Sequence, residues 1–154
     1  MAINPNTNFV AGAVLLASEQ NRFPRGIMQI ASNATTDAAI TVDKSVVTAT
    51  FTAVANRNYR LIYTEPQLGG SVVSYYVMSL RVGATFATSA LIANTVVGIP
   101  VAAINTQGII QAISTFTAGT NIVYAAIQIN VGTGTATRSG FKKALLTVED
   151  MGPA

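Results

Sequence analysis

The chain has 154 residues, a length that fits one domain with a core of its own. Only 10% of its residues are charged, against about 25% in ordinary soluble domains, and the absence of Cys and His excludes disulfides, thiolate chemistry and the commonest general base at neutral pH. The net charge of +3 is spread over scattered basic residues whose densest spot is Lys142–Lys143, so no nucleic-acid partner is predicted.

Residues 1–8, Met-Ala-Ile-Asn-Pro-Asn-Thr-Asn, lack the basic region of a signal peptide. The apolar run Ala11–Ala17 falls short of the roughly 18 residues that a membrane helix needs, and no later run reaches that length. No membrane partner is predicted, and the chain is expected to be made in a cytoplasm. Ala11–Arg22 carries the one helical pattern, with Val14, Leu15 and Phe23 on one side and Ser18, Glu19, Gln20 and Asn21 on the other. Pro24 ends it. Residues 1–25 are therefore read as an N-terminal arm with a helical turn, and residues 26–154 as the folded domain, opening with a strand at Gly26–Ala31.

From there the periodicity is that of strands. Val47, Ala49, Phe51 and Ala53 alternate with Thr48, Thr50 and Thr52, giving one face for a core and one for a polar environment. Asn56-Arg57-Asn58 reverses the chain into a strand at 59–64, which Pro66 and a tight turn at Gly69-Gly70 are expected to close. Residues 71–82 are apolar on both faces, as suits a central strand covered by two layers or by a neighbouring subunit. Further strands are predicted near 84–93, 95–104, 108–116, 121–131 and 143–149, with Gly132-Thr133-Gly134 as a hairpin loop. Many short strands at spacings of about 8–12 residues predict an all-β fold, a single antiparallel sandwich of jelly-roll type.

Little in the chain points to catalysis. The six acidic residues form neither a calcium loop nor a carboxylate pair, no Lys-Ser or Lys-Thr follows the Gly132-Thr133-Gly134 segment, and the serines lack a histidine partner. No cofactor or metal is predicted. Arg57 and Arg60, with Glu65 and Asp43, are expected to form exposed ion pairs at one end of the sandwich. The tyrosines could stack on sugar rings, with Tyr75 and Tyr124 as the candidate glycan contacts; adjacent Tyr75 and Tyr76 must point to opposite faces of a strand, so one at most serves any one surface.

Both ends of the chain carry a further signal. Phe9-Val-Ala-Gly-Ala-Val-Leu-Leu-Ala-Ser-Glu-Gln-Asn-Arg-Phe-Pro-Arg-Gly26 resembles the opening of small virion proteins of tailed bacteriophages, especially phages of actinobacteria, and Leu146-Thr-Val-Glu-Asp-Met-Gly-Pro-Ala154 resembles their closing segment. The resemblance is confined to these two terminal segments and implies a non-enzymatic structural protein of the virion: a minor tail, head-fibre or capsid-decoration subunit. Its implied partners are other virion proteins and further copies of itself.

Composition agrees with assembly, since a chain with so few charges needs its faces covered. The expected contacts are Phe9, Val14, Leu15, Phe23 and Arg25 in the arm, Tyr76 on a strand and Met151 near the C-terminus, in a homo-oligomer for which a trimer is the simplest form. The alternative is a sandwich that binds host-surface glycans.

Overall fold

The computed structural model describes residues 23–154, and every regular element among them is a strand. In chain order these are β1 (Gly26–Asn33), β2 (Asp37–Ile40), β3 (Lys44–Ala53), β4 (Arg57–Gly70), β5 (Ser74–Val82), β6 (Ala90–Ile99), β7 (Thr106–Thr115), β8 (Gly119–Ile129), β9 (Gly134–Ala136) and β10 (Ala144–Pro153). All pair antiparallel. They form a six-stranded sheet, ordered β1-β10-β4-β9-β2 with β7 also on β4, and a four-stranded sheet, ordered β3-β8-β5-β6. Leu61 pairs with both Val148 and Ala112, and Leu68 with both Ala136 and Thr106. So β10 and β9 share one flank of β4 while β7 takes the other. The result is an antiparallel, jelly-roll-like β-sandwich, as the strand pattern predicts.

Alternation places the core. On β3, Val47, Ala49, Phe51 and Ala53 are buried while Thr48, Thr50 and Thr52 face solvent. Tyr59, Leu61 and Tyr63 of β4, with Leu146 and Val148 of β10, meet Met78 and Leu80 of β5 and Val123, Ala125 and Ile127 of β8 in one core. Phe51, Tyr59 and Phe116 stack against one another with ring centroids 5.2 to 5.7 Å apart, closing one end.

Several local expectations need correcting. The two strands expected at 84–93 and 95–104 are one strand, β6, and residues 83–89 form a loop. That loop folds back because Phe86 packs edge-on against Tyr124, with centroids 5.8 Å apart, and beneath the Arg81 guanidinium at 5.5 Å. Pro66 does not stop β4, because it sits where the register against β7 slips between Glu65 and Leu68 and no regular ladder bond is asked of it. Gly69 and Gly70 still belong to β4, so the turn falls on residues 71–73. The Gly132-Thr133-Gly134 segment is not a hairpin: it carries the chain from β8 in one sheet to β9 in the other.

A buried ionic cluster fixes the short β2–β9 ribbon to β4. Arg138 donates from Nε and Nη2 to the two carboxylate oxygens of Glu65 (2.7 and 2.9 Å) and from Nη1 to Asp37 Oδ2 (2.9 Å) and the Thr35 carbonyl (2.8 Å). Tyr63 Oη donates to Glu65 Oε2 at 2.7 Å, and Lys44 pairs with Asp37. Burial by itself would raise the Asp37 carboxyl, but hydrogen bonds from Lys44 and Arg138 outweigh it and hold the group below 3.8. A lowered carboxylate contributes stability above its unfolded value and loses that contribution as pH falls through the folded one.

Two outcomes follow from this packing. In acid titrations followed by circular dichroism, the native protein should lose stability below about pH 4 more steeply than Asp37→Asn, whose residue 37 no longer titrates. A Cβ at Gly134 would collide with the Tyr76 hydroxyl and ring, so Gly134→Ala should lower the unfolding free energy by about 1–3 kcal/mol in urea titrations.

Candidate functional site

Gly26 turns the chain into β1 with a φ of +75°, and Gly152, with a φ of +104°, carries β10 through the register shift that follows Asp150. Both conformations are ones that other L-residues rarely adopt. The two glycines lie close together, because Gly26 pairs with Asp150 while Gly152 and Pro153 pair with Asn58 and Arg57. Arg57 is the clasp between them. Its guanidinium is buried and donates to both oxygens of Asp150 (Nε at 2.6 Å, Nη2 at 2.8 Å) and, from Nη2, to the Phe23 carbonyl at 2.6 Å. The Gly152 amide donates to Asp150 Oδ1 at 2.8 Å, and Ala154 N donates to the Asn56 carbonyl at 2.9 Å. Both termini of the described chain are thus tied to the β3–β4 turn.

This clasp borders the outward face of the larger sheet. The register sets its side chains in three rows across four strands: Ile27, Glu149, Arg60 and Ile113 nearest the clasp, then Ile30, Thr147, Ile62 and Gln111, then Ser32, Leu145, Thr64 and Ile109. Ile27, Ile30, Ile109 and Ile113 are each more than half exposed. The charges in these rows, Arg60 and Glu149, neutralise each other through an ion pair with an Nε–Oε2 hydrogen bond of 2.9 Å. Exposed apolar side chains grouped in this way are typical of interaction surfaces.

The opposite end of the sandwich is built from three loops, 71–73, 100–105 and 130–133. They are cross-braced: Ser71 N donates to the Thr133 carbonyl, Ala103 N to the Gly70 carbonyl and Asn130 N to the Tyr75 carbonyl, each at 3.0 Å. Val72, Val73, Val101, Ile104 and Val131 are exposed there. β4 runs from the clasp to this tip.

Of the expected assembly contacts, Phe23 and Arg25 lie at the clasp, and Met151 stands half-buried beside it on β10. Phe9, Val14 and Leu15, and the helical turn, lie outside the described residues. Tyr76 is corrected: it is 0% exposed, and its hydroxyl donates to the Gly69 carbonyl at 2.8 Å, with the Thr135 carbonyl 3.3 Å away. Burial pushes that hydroxyl up to about 12, and a ring sealed over Gly134 has no surface to offer a partner. The glycan pair is not assembled either. Tyr75 is 37% exposed, but Tyr124 is 9% exposed, lying under Phe86 with its hydroxyl donating to the Ala84 carbonyl at 3.1 Å.

The expected ion pairs exist with other partners. Arg57 takes Asp150, Arg60 takes Glu149, Glu65 takes Arg138 and Asp43 takes Arg81 at 3.6 Å. With Asp37 held by Lys44 and Arg138, each of the described carboxylate side chains Asp37, Asp43, Glu65, Glu149 and Asp150 faces a cation. Among the described residues no group of three His, Cys, Asp or Glu is placed to hold a metal ion. The isoleucine face was not anticipated, although β7 carries its signal: Ile109 and Ile113 share one parity while Ile110 and Ala112 occupy the other, so the strand is apolar on both sides.

No protein-family model matches the sequence, and no curated protein matches it. Solved structures with a similar fold include Eiger TNF from S. frugiperda, with a TM-score of 0.51 and 11% identity over 84% of this chain and 96% of that one. Murine APRIL has a TM-score of 0.48 at 10% identity, covering 82% of this chain and 100% of that one. A CBM4 structure has 0.38 at 13%, covering 79% and 94%. At 11% identity the first likeness is one of fold. It defines the class, a jelly-roll-like β-sandwich.

Removing the carboxylate from the clasp should be severe. Asp150→Ala leaves the buried Arg57 guanidinium without its counter-charge, which typically costs about 3–5 kcal/mol. Denaturant titration should show that loss, and the double change Arg57→Met with Asp150→Leu should recover most of it.

Proposed function

We propose that this protein is a non-enzymatic structural component of a bacteriophage virion, a minor tail, head-fibre or decoration subunit, that assembles with its own copies and with other virion proteins through an N-terminal arm and its β faces. The observation that carries the reading is the meeting of the two terminal segments. Residues 23–26 and 146–154, the parts of the resemblance that fall on described residues, meet at the Arg57 clasp beside the exposed isoleucines. A resemblance that falls on two distant stretches of sequence has a physical reason if both build the root of one attachment element.

The chemistry of the faces supports assembly in the same way. Both sheets leave apolar side chains in water: the smaller one exposes Leu91 and Val96 beside Thr48, Thr50, Thr52 and Thr120, and the larger one exposes Ile27, Ile30, Ile109 and Ile113. Leaving such a surface in water is unfavourable by roughly 25 cal/mol for each Å² that a partner could cover. A closed homo-oligomer, with a trimer as its simplest form, would cover it in every copy. Tyr75, without a second exposed ring beside it, gives no comparable support to glycan binding.

Light scattering over a range of concentrations should report a stable mass of three chains, and the chain should be found in purified particles. Deleting residues 1–25 should leave a folded sandwich that no longer enters particles. A truncated chain that incorporates normally would overturn the role given to the arm, and a chain absent from particles would overturn the virion reading.

A further inference from the structure

We infer that the isoleucine face of the larger sheet is the seat for the arm of a neighbouring copy, with residues 9–17 as the segment that covers it. The inference rests on the assembly reading above and deepens it by naming the two halves of one contact.

The size of the face is the first argument. Four strands at about 4.8 Å spacing, with three outward positions about 6.8 Å apart on each, span roughly 14 Å by 14 Å between outermost side chains. Stable interfaces between globular partners bury about 800 Å² on each side. The face is too small for a domain and suits a single segment of chain. Its chemistry restricts that segment further: Ile27, Ile30, Ile109 and Ile113 are exposed, the Arg60–Glu149 pair is already neutral, and the remaining polar positions, Ser32, Thr64, Gln111 and Thr147, are uncharged, so the complement is an uncharged segment with apolar side chains to offer.

The chain supplies such a segment. Of residues 1–22, the run Phe9-Val-Ala-Gly-Ala-Val-Leu-Leu-Ala17 carries no charged or hydrogen-bonding side chain, and Ser18-Glu-Gln-Asn-Arg22 separates it from Phe23. Phe23 is where the described chain begins, and its carbonyl is held by Arg57 at the border of this same face. Five residues reach at most about 17 Å. An arm that leaves the clasp can therefore lie across a face bordering it, and the assembly reading above assigns it to the face of a copy packed beside it. Each copy then gives one arm and receives one, a head-to-tail contact that closes into a ring when the rotation allows.

The absence of Cys permits a direct test with full-length chains. Leu15→Cys and Ile113→Cys, placed in separate chains and co-expressed, should oxidise to a disulfide-linked pair. Its yield should exceed by about tenfold that of Leu15→Cys with Thr50→Cys, because an arm seated on the face holds its thiol at a raised effective concentration there. Thr50 is exposed on the other sheet. Val14→Cys with Ile109→Cys provides a second register. Equal yields on the two sheets, or none in either register, would overturn the seat. In a chain carrying both Leu15→Cys and Ile113→Cys, a link that forms only within the chain would overturn the assignment to a neighbour. Either negative result from chains that still enter particles removes this inference alone, whereas chains absent from particles remove the virion reading.

Discussion

The organisation of this chain depends on one buried guanidinium. Placing Arg57 among core side chains carries a desolvation penalty of several kcal/mol, which its hydrogen bonds to Asp150 must offset. Apolar residues could fill the same volume. What they could not do is choose backbone partners: the fork of Arg57 joins the side chain of β10 to the carbonyl of Phe23, so the start and the end of the domain are set against one turn. The first residues of β1 and the last of β10 take their register from that junction. Gly26 and Gly152 then supply the two backbone conformations it requires.

Low charge acquires a structural meaning in this setting. Carboxylates that would ordinarily be spread over a surface face cations instead, two of them, Glu65 and Asp150, in full burial. Threonines take over part of the hydration, and both sheets keep apolar side chains, Leu91 and Val96 on one and four isoleucines on the other, in positions where soluble proteins usually place lysine or glutamate. Both faces of the sandwich therefore ask for cover.

Sequence legibility followed the range of the interaction. The alternation on β3 and along residues 123–131 is a local pattern, and it led correctly to strands, to an antiparallel sandwich and to part of the core. The loop at 83–89 was misread because Gly-Ala-Thr-Phe-Ala-Thr has strand-like composition, and the Tyr124 ring that pulls Phe86 back is remote in sequence. Glu65 and Arg138 are 73 positions apart, and no spacing rule joins them. With the tyrosine pair, alternation dictated that Tyr75 and Tyr76 separate, but which one faced the core hung on Gly134, whose missing side chain admits the Tyr76 ring. The isoleucines of β7 were visible as a strand apolar on both parities, a pattern that fits a central strand and an edge strand awaiting a partner equally well.

The length of β4 has a mechanical consequence. Its 14 residues, at about 3.3 Å each, can set the braced loops of the tip at most about 45 Å from the clasp. Tip residues such as Val73 and Val101 lie at the opposite end of β4 from Arg57. Insertions or exchanges in those loops can therefore accumulate while the root stays unaltered. The sandwich holds the exposed valines of its tip at the far end from the junction that fastens its two termini.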